Sequence, residues 1–148
     1  MLRQLGGFLF GTPGTPEEHE TTYRNVIGDL DPVSAAERMR GGVQHNTEKA
    51  GALLAAQGIF TVADTFALDH SWPKVPILVS LGCLIAGTFL AMSILRSTMR
   101  MYRHAAERAD PVHQIFDLLL SRMIRFNIAL YLTFLSILLL GIAALSFV

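Results

Sequence analysis

Charge is scarce in this sequence. Charged residues make up 16% of its 148 positions, against about 25% in ordinary soluble domains. Apolar residues reach 51%, and mean hydropathy is +0.42. That balance excludes a disordered chain, a collagen-like fibre and a charged coiled coil, and it argues against a water-soluble domain. Cysteine is nearly absent, and Cys83 alone excludes an intrachain disulfide or a cysteine zinc site. The formal net charge is zero, so no bulk field draws nucleic acid, and no such partner is expected. The histidines are His19, His45, His70, His104 and His113, and none falls within a long apolar run. This disfavours a haem held at mid-membrane by paired histidines. His104 and His113 lack metal-ligand spacing. A phosphate-loop Gly-Lys pattern, a nucleophile elbow and a paired-carboxylate signature are also missing. The sequence therefore predicts no enzyme, no cofactor and no metal site.

What the chain does have is apolar length. A membrane-spanning helix needs about 20 mainly apolar residues. Residues 75–95 and 126–148 each lack any charged residue. Residues 50–68 form a third, more polar candidate that contains Gln57, Thr61, Asp64 and Thr65. The intervening turn at 69–74, with Trp72 and Pro73, is short enough to make an antiparallel hairpin of the first two spans. The expected fold is an all-α integral membrane protein with three transmembrane helices and long cytoplasmic helix extensions. Residues 1–31 read as a polar arm and 32–148 as the three-span domain. Within the arm, the Gly/Pro-rich stretch 11–16 reads as a loop or linker. The apolar start at 1–10 is interrupted by Gly6-Gly7 and is too short for a secretory signal. Asp31-Pro32 and Asp110-Pro111 each combine a capping residue with proline at the first helical position. From Pro32 a helix is expected to run, kinked, through Gly41-Gly42 into the first span. From Pro111 a helix of about 38 residues would reach about 57 Å, well beyond the ~30 Å hydrocarbon core.

Positive residues set the orientation. Arg96, Arg100, Arg103, Arg108, Arg122 and Arg125 lie between the second and third spans, whereas the first interspan loop has only Lys74. The positive-inside rule then puts the N-terminus and the arginine-rich segment in the cytoplasm, and the C-terminus outside. Arg96, Arg100, Arg103, Arg122 and Arg125 are candidates for an anionic ligand, since guanidinium binds phosphate bidentately, or for lipid headgroups.

Asp64 is the ionisable residue inside a span. Together with Gln57, Thr61 and Thr65 it forms a polar intramembrane stripe at helical spacing. Two readings fit it. The stripe lines a pore or an ion or proton site, or Asp64 sits one turn from the outer end, hydrated or bonded to Lys74 or Trp72. Gly51, Ala55, Ala63 and Ala67, with Ile59 among them, recur in steps of four and suggest a close helix-packing face, either within the chain or between subunits. Gly82, Ala86 and Gly87 are candidates to face it.

At Thr47-Glu48-Lys49-Ala50-Gly51-Ala52-Leu53-Leu54, followed by Gly58, the chain resembles the entry into the first span of the Pycsar-type transmembrane effectors, which are bacterial antiphage proteins. Residues 113–122, His-Gln-Ile-Phe-Asp-Leu-Leu-Leu-Ser-Arg, resemble the amphipathic helix before that family's last span. The order of hairpin, cytoplasmic segment and final helix is also similar over residues 40–148. The resemblance implies an effector of the bacterial inner membrane. In that family a cyclic pyrimidine nucleotide from a partner cyclase triggers loss of membrane integrity.

Two functions remain open at this stage. One is an oligomeric, cyclic-nucleotide-responsive effector that perturbs the membrane. The other is an accessory or scaffold subunit of a respiratory, photosynthetic or secretion complex. Both partner the lipid bilayer, and both require association, as a homo-oligomer or within a membrane complex.

Overall fold

The computed structural model describes residues 16–69, 73–104 and 111–146, with side chains except at Pro16, 97–104 and Pro111. Four helices make up the described chain. They are α1 (Pro16–Ile27), α2 (Pro32–Asp69), α3 (Lys74–His104) and α4 (Pro111–Leu145). Three segments are long and apolar enough to cross a membrane: Pro32–Asp69, Lys74–Arg96 and Val112–Leu145. The protein is an all-α membrane protein. The long helices have 38, 31 and 35 residues, so each, at 1.5 Å per residue, outruns the ~30 Å core of a bilayer.

The start of α2 follows from its sequence. Asp31 Oδ1 accepts from the backbone N–H groups of Val33 (3.0 Å) and Ser34 (3.1 Å), and its Oδ2 accepts from Ser34 Oγ (2.6 Å). Donors that a helix start leaves unpaired are thus satisfied by one carboxylate. The helix then continues through Gly41 and Gly42.

Helix α1 lies within the expected polar arm. Its signals are local: Pro16 at the first position, Glu17 and Glu18 in the first turn, and Arg24 in the last. Gly28 ends it with φ +57° while its N–H bonds Arg24 O at 2.7 Å, a left-handed cap that glycine adopts without strain. Residues 1–15, Trp72, Asp110, Arg108 and the C-terminal Val148, to which other expectations attach, lie outside the described residues.

The chain divides into two compact units, one of residues 1–47 with 96–124 and one of 48–95 with 125–148. In the first, Met39, Val43, Ile115 and Phe116 form a buried core, joined by Tyr23, Val26 and Ile27 of α1. Charged residues such as Glu37, Arg38 and Arg40 are exposed. Gly42 lies beside Leu119, whose Cδ1 would be 3.3 Å from an added Cβ, so the helices approach closely there. This unit has the polarity of a water-soluble bundle.

The second unit has the opposite polarity. Ile59, Val62, Phe66, Val75, Phe89, Leu138 and Leu145 are exposed, whereas Gln57, Asp64, Ser80, Thr133 and Ser136 are buried. An apolar exterior around paired polar groups is what lipid demands of its solutes. The buried positions recur in steps of three, four or seven: Ala50, Leu53, Gln57, Asp64 and Ala67 on α2, and Ile77, Ser80, Leu84, Gly87, Ala91 and Ile94 on α3. On α4 they are Ala129, Thr133, Ser136 and Ala143. A spacing that averages 3.5 keeps one seam facing its neighbours, as in left-handed coiled coils.

That period divides the four-residue face of small residues. Each step of four rotates about 40° past a full turn, so the stripe winds around α2. Gly51 and Ala55 are exposed, Ala63 is half-buried and Ala67 is buried against Ile77 and Ala143. On α3, Gly87 is buried whereas Gly82 and Ala86 are exposed.

Candidate functional site

Two polar layers cross the interior of the second unit, each with one residue from α2. In the first, Gln57 Nε2 donates to Thr133 Oγ1 at 2.9 Å, and Gln57 Oε1 accepts from Thr88 Oγ1 at 3.1 Å. Thr133 Oγ1 donates onward to Ala129 O at 2.8 Å. Gly87 makes room for the amide, since a Cβ there would lie 2.6 Å from Gln57 Nε2. One side chain thereby joins α2, α3 and α4.

The second layer lies seven residues further along α2, two helical turns on and on the same face. Asp64 Oδ2 accepts from Ser80 Oγ at 2.6 Å. Ser80 Oγ lies 2.8 Å from Ser136 Oγ and 3.2 Å from Ser136 O. A hydroxyl has one proton. If Ser80 gives its proton to Asp64, Ser136 must donate to Ser80, which makes a directed chain from α4 through α3 to α2. Asp64 is fully buried, and its Oδ1 has no hydrogen-bond partner among the described residues. No cationic side chain pairs with it there. The layer thus holds a carboxyl group that is only half satisfied, in a setting where an unpaired charge is costly.

The polar stripe expected along the first span separates in the structure. Gln57 and Asp64 point into the bundle. Thr61 is half-buried and donates to Gln57 O at 2.8 Å, and Thr65 is exposed and donates to Thr61 O at 2.8 Å. Both threonines return their hydroxyls to their own helix. A shallow cleft lined by Thr61, Ile85, Thr88, Phe89 and Met92 opens beside the Gln57 layer. Asp64 takes Ser80 rather than Lys74 as its partner, because position 64 falls on the seam and directs its side chain inward. Trp72 is outside the described residues.

Ser80, Thr88, Thr133 and Ser136 are site residues that sequence reasoning missed. Their signal was thin: single hydroxyls within apolar runs, of which Ser80, Thr133 and Ser136 lie on the seam.

The arginines differ in setting. Arg96 is exposed. Arg122 is buried in the first unit, where its Nη1 donates to Thr47 Oγ1 at 3.2 Å. It occupies the seam position one heptad after Ile115, so it is a packing residue rather than an accessible cation. Arg125 belongs to the second unit, is half-buried and donates to Ser93 Oγ at 3.4 Å. Arg100 and Arg103 lie on α3, with side chains outside the described set.

Comparison with protein-family models, curated proteins and solved structures finds no match to this chain.

Proposed function

We propose that the protein is an oligomeric effector of the bacterial inner membrane, which perturbs membrane integrity by moving between two packings of its spanning helices. The observation that carries this reading is the half-satisfied Asp64 layer inside a unit whose exterior is apolar. In the closed packing, Asp64 relies on one serine hydroxyl. An opened packing would admit water to Asp64, Gln57, Thr88 and Thr133 and satisfy them better. The polar layers therefore favour opening, and the apolar seam residues, such as Leu53, Ile77, Leu84 and Ile94, favour closure. A ligand shifts such a balance only by binding one state more tightly. Moving it from 1:99 to 99:1 takes about 10⁴-fold preference.

The similarity to Pycsar-type effectors at residues 47–54 and 113–122 supports a cyclic pyrimidine nucleotide as that ligand, and antiphage defence as the setting. Of the five candidate arginines, Arg96, Arg100 and Arg103 are those left to meet its phosphate. The arginine bias supports a cytoplasmic N-terminus and an external C-terminus. The experiment is induced expression in bacteria with cyclic UMP or cyclic CMP supplied. Depolarisation that requires the nucleotide and is lost in Arg100→Ala supports the reading. No depolarisation, or the same depolarisation in Asp64→Asn and Arg100→Ala, removes it.

A second reading, an accessory subunit of a larger membrane complex, draws on the exposed Gly51, Ala55 and Gly58 of α2. Small residues on an outer face suit a further helix. Mild-detergent purification separates the two. Stoichiometric unrelated subunits favour the accessory role, and an oligomer of this chain alone favours the effector.

A further inference from the structure

The first unit contains a cluster that the membrane reading does not use. His19 of α1 meets His113 and Asp117 of α4, with one ligand atom from each lying within 4.8 Å of the others. His19 Nε2 is 3.1 Å from Asp117 Oδ1. His113 and Asp117 are one turn apart, i and i+4, so both face α1. We propose that His19, His113 and Asp117 form a binding site for a divalent transition-metal ion of the zinc type, which pins α1 to α4. This inference stands apart from the effector reading.

The donor chemistry selects the ion. Two imidazole nitrogens and one carboxylate oxygen are the His₂–carboxylate set that zinc accepts, with a fourth tetrahedral position open to water or an added ligand. Calcium and magnesium prefer all-oxygen shells. The geometry is close to what an ion needs. With metal–ligand bonds of about 2.0–2.1 Å, tetrahedral donors lie about 3.4 Å apart and two bound imidazoles have centroids about 5 Å apart. The centroids of His19 and His113 are 5.6 Å apart. Small side-chain rotations close the remaining gap.

The surroundings hold the rings in place. His19 meets Phe116 edge-on at 5.1 Å, and His113 lies 4.3 Å from the ring of Tyr23. These aromatic walls limit ring rotation, while the Asp117 side chain, 58% exposed, leaves the ion a route from solvent. The site also has a structural use. Helix α1 has only 12 residues, a length that is marginal alone in water. An ion shared with α4 would couple the folding of α1 to metal occupancy.

The test uses the full chain in detergent micelles, stripped with chelator and titrated with zinc or cobalt(II). The expected result is one ion per chain, a tetrahedral cobalt absorption band and a thermal midpoint that rises with zinc. Loss of a second-shell partner already costs 10–100-fold in metal affinity, so losing a direct ligand should cost at least about tenfold. His113→Ala and His19→Phe should show that loss. The second variant keeps an aromatic ring against Phe116, and helical content by circular dichroism reports its fold. His45→Ala, an exposed position on α2 outside the cluster, should bind as the wild type does. Absence of binding to the wild-type chain, or equal binding in the helical His19→Phe variant, overturns the site.

Discussion

At the scale of single residues, Gly87 is the position with least freedom. A Cβ there would lie 2.6 Å from Gln57 Nε2 and 3.4 Å from Ala129 O. Gly87→Ala therefore displaces the Gln57 amide and strands its partners on Thr88 and Thr133. A buried polar group left unpaired costs about 1–3 kcal/mol, so unfolding in micelles should show a loss of that order, and Gly82→Ala, at an open position, should not. Asp31 supplies a second residue-scale prediction. Its carboxyl group is held below the usual carboxylate range, first by the Ser34 hydroxyl and then by the backbone N–H groups of Ser34 and Val33. A depressed folded value means that the cap contributes above the ordinary aspartate range, and that its contribution fades as pH falls through the lowered value. Amide exchange at Val33 and Ser34, corrected for intrinsic rate, should lose protection in acid, and Asp31→Asn should flatten that dependence.

At the scale of elements, the spans and the cap at Asp31 were legible because each rests on local signals: uncharged length, and a capping residue before proline. Asp64 was legible as costly, but its partners were not. Ser80 and Ser136 are hydroxyls flanked by apolar residues, and a helix can satisfy such hydroxyls internally, as Thr133 does on Ala129 O. Only the inter-helix register turns them into a layer. Helix α1 was hidden for a different reason. Its apolar contacts are few (Tyr23, Val26 and Ile27), and they gain meaning only against Met39 and Phe116, which are distant in sequence. The small-residue face divides between the seam and the outer side of α2, because steps of four drift around a helix whose seam advances by 3.5. The seam makes its own prediction. Ala67→Leu should overpack the Ile77–Ala143 contact at about 1–3 kcal/mol, whereas Gly51→Leu on the exposed face should leave thermal unfolding of the monomer within about 0.5 kcal/mol. If the outer face of α2 mediates self-association, Gly51→Leu should instead lower the oligomer mass in mild detergent.

At the scale of the molecule, two units of opposite polarity share three helices. One has an apolar core and charged exposed residues, and the other has buried polar layers under an apolar exterior. The scarcity of charge in the sequence is thus concentrated in the second unit, where Asp64 is the buried acid. A purely structural membrane bundle gains from replacing such a group with a hydrocarbon side chain, because leucine packs without an orphaned oxygen. A switching bundle loses its drive to open by the same change. Ion release from liposomes containing the purified protein separates these cases. The wild-type chain should leak when cyclic UMP or cyclic CMP is added, and Asp64→Leu, reconstituted in equal amount, should stay sealed with equal or higher thermal stability. Leakage of Asp64→Leu at the wild-type rate, or a wild-type chain that stays sealed with either nucleotide, would contradict the account.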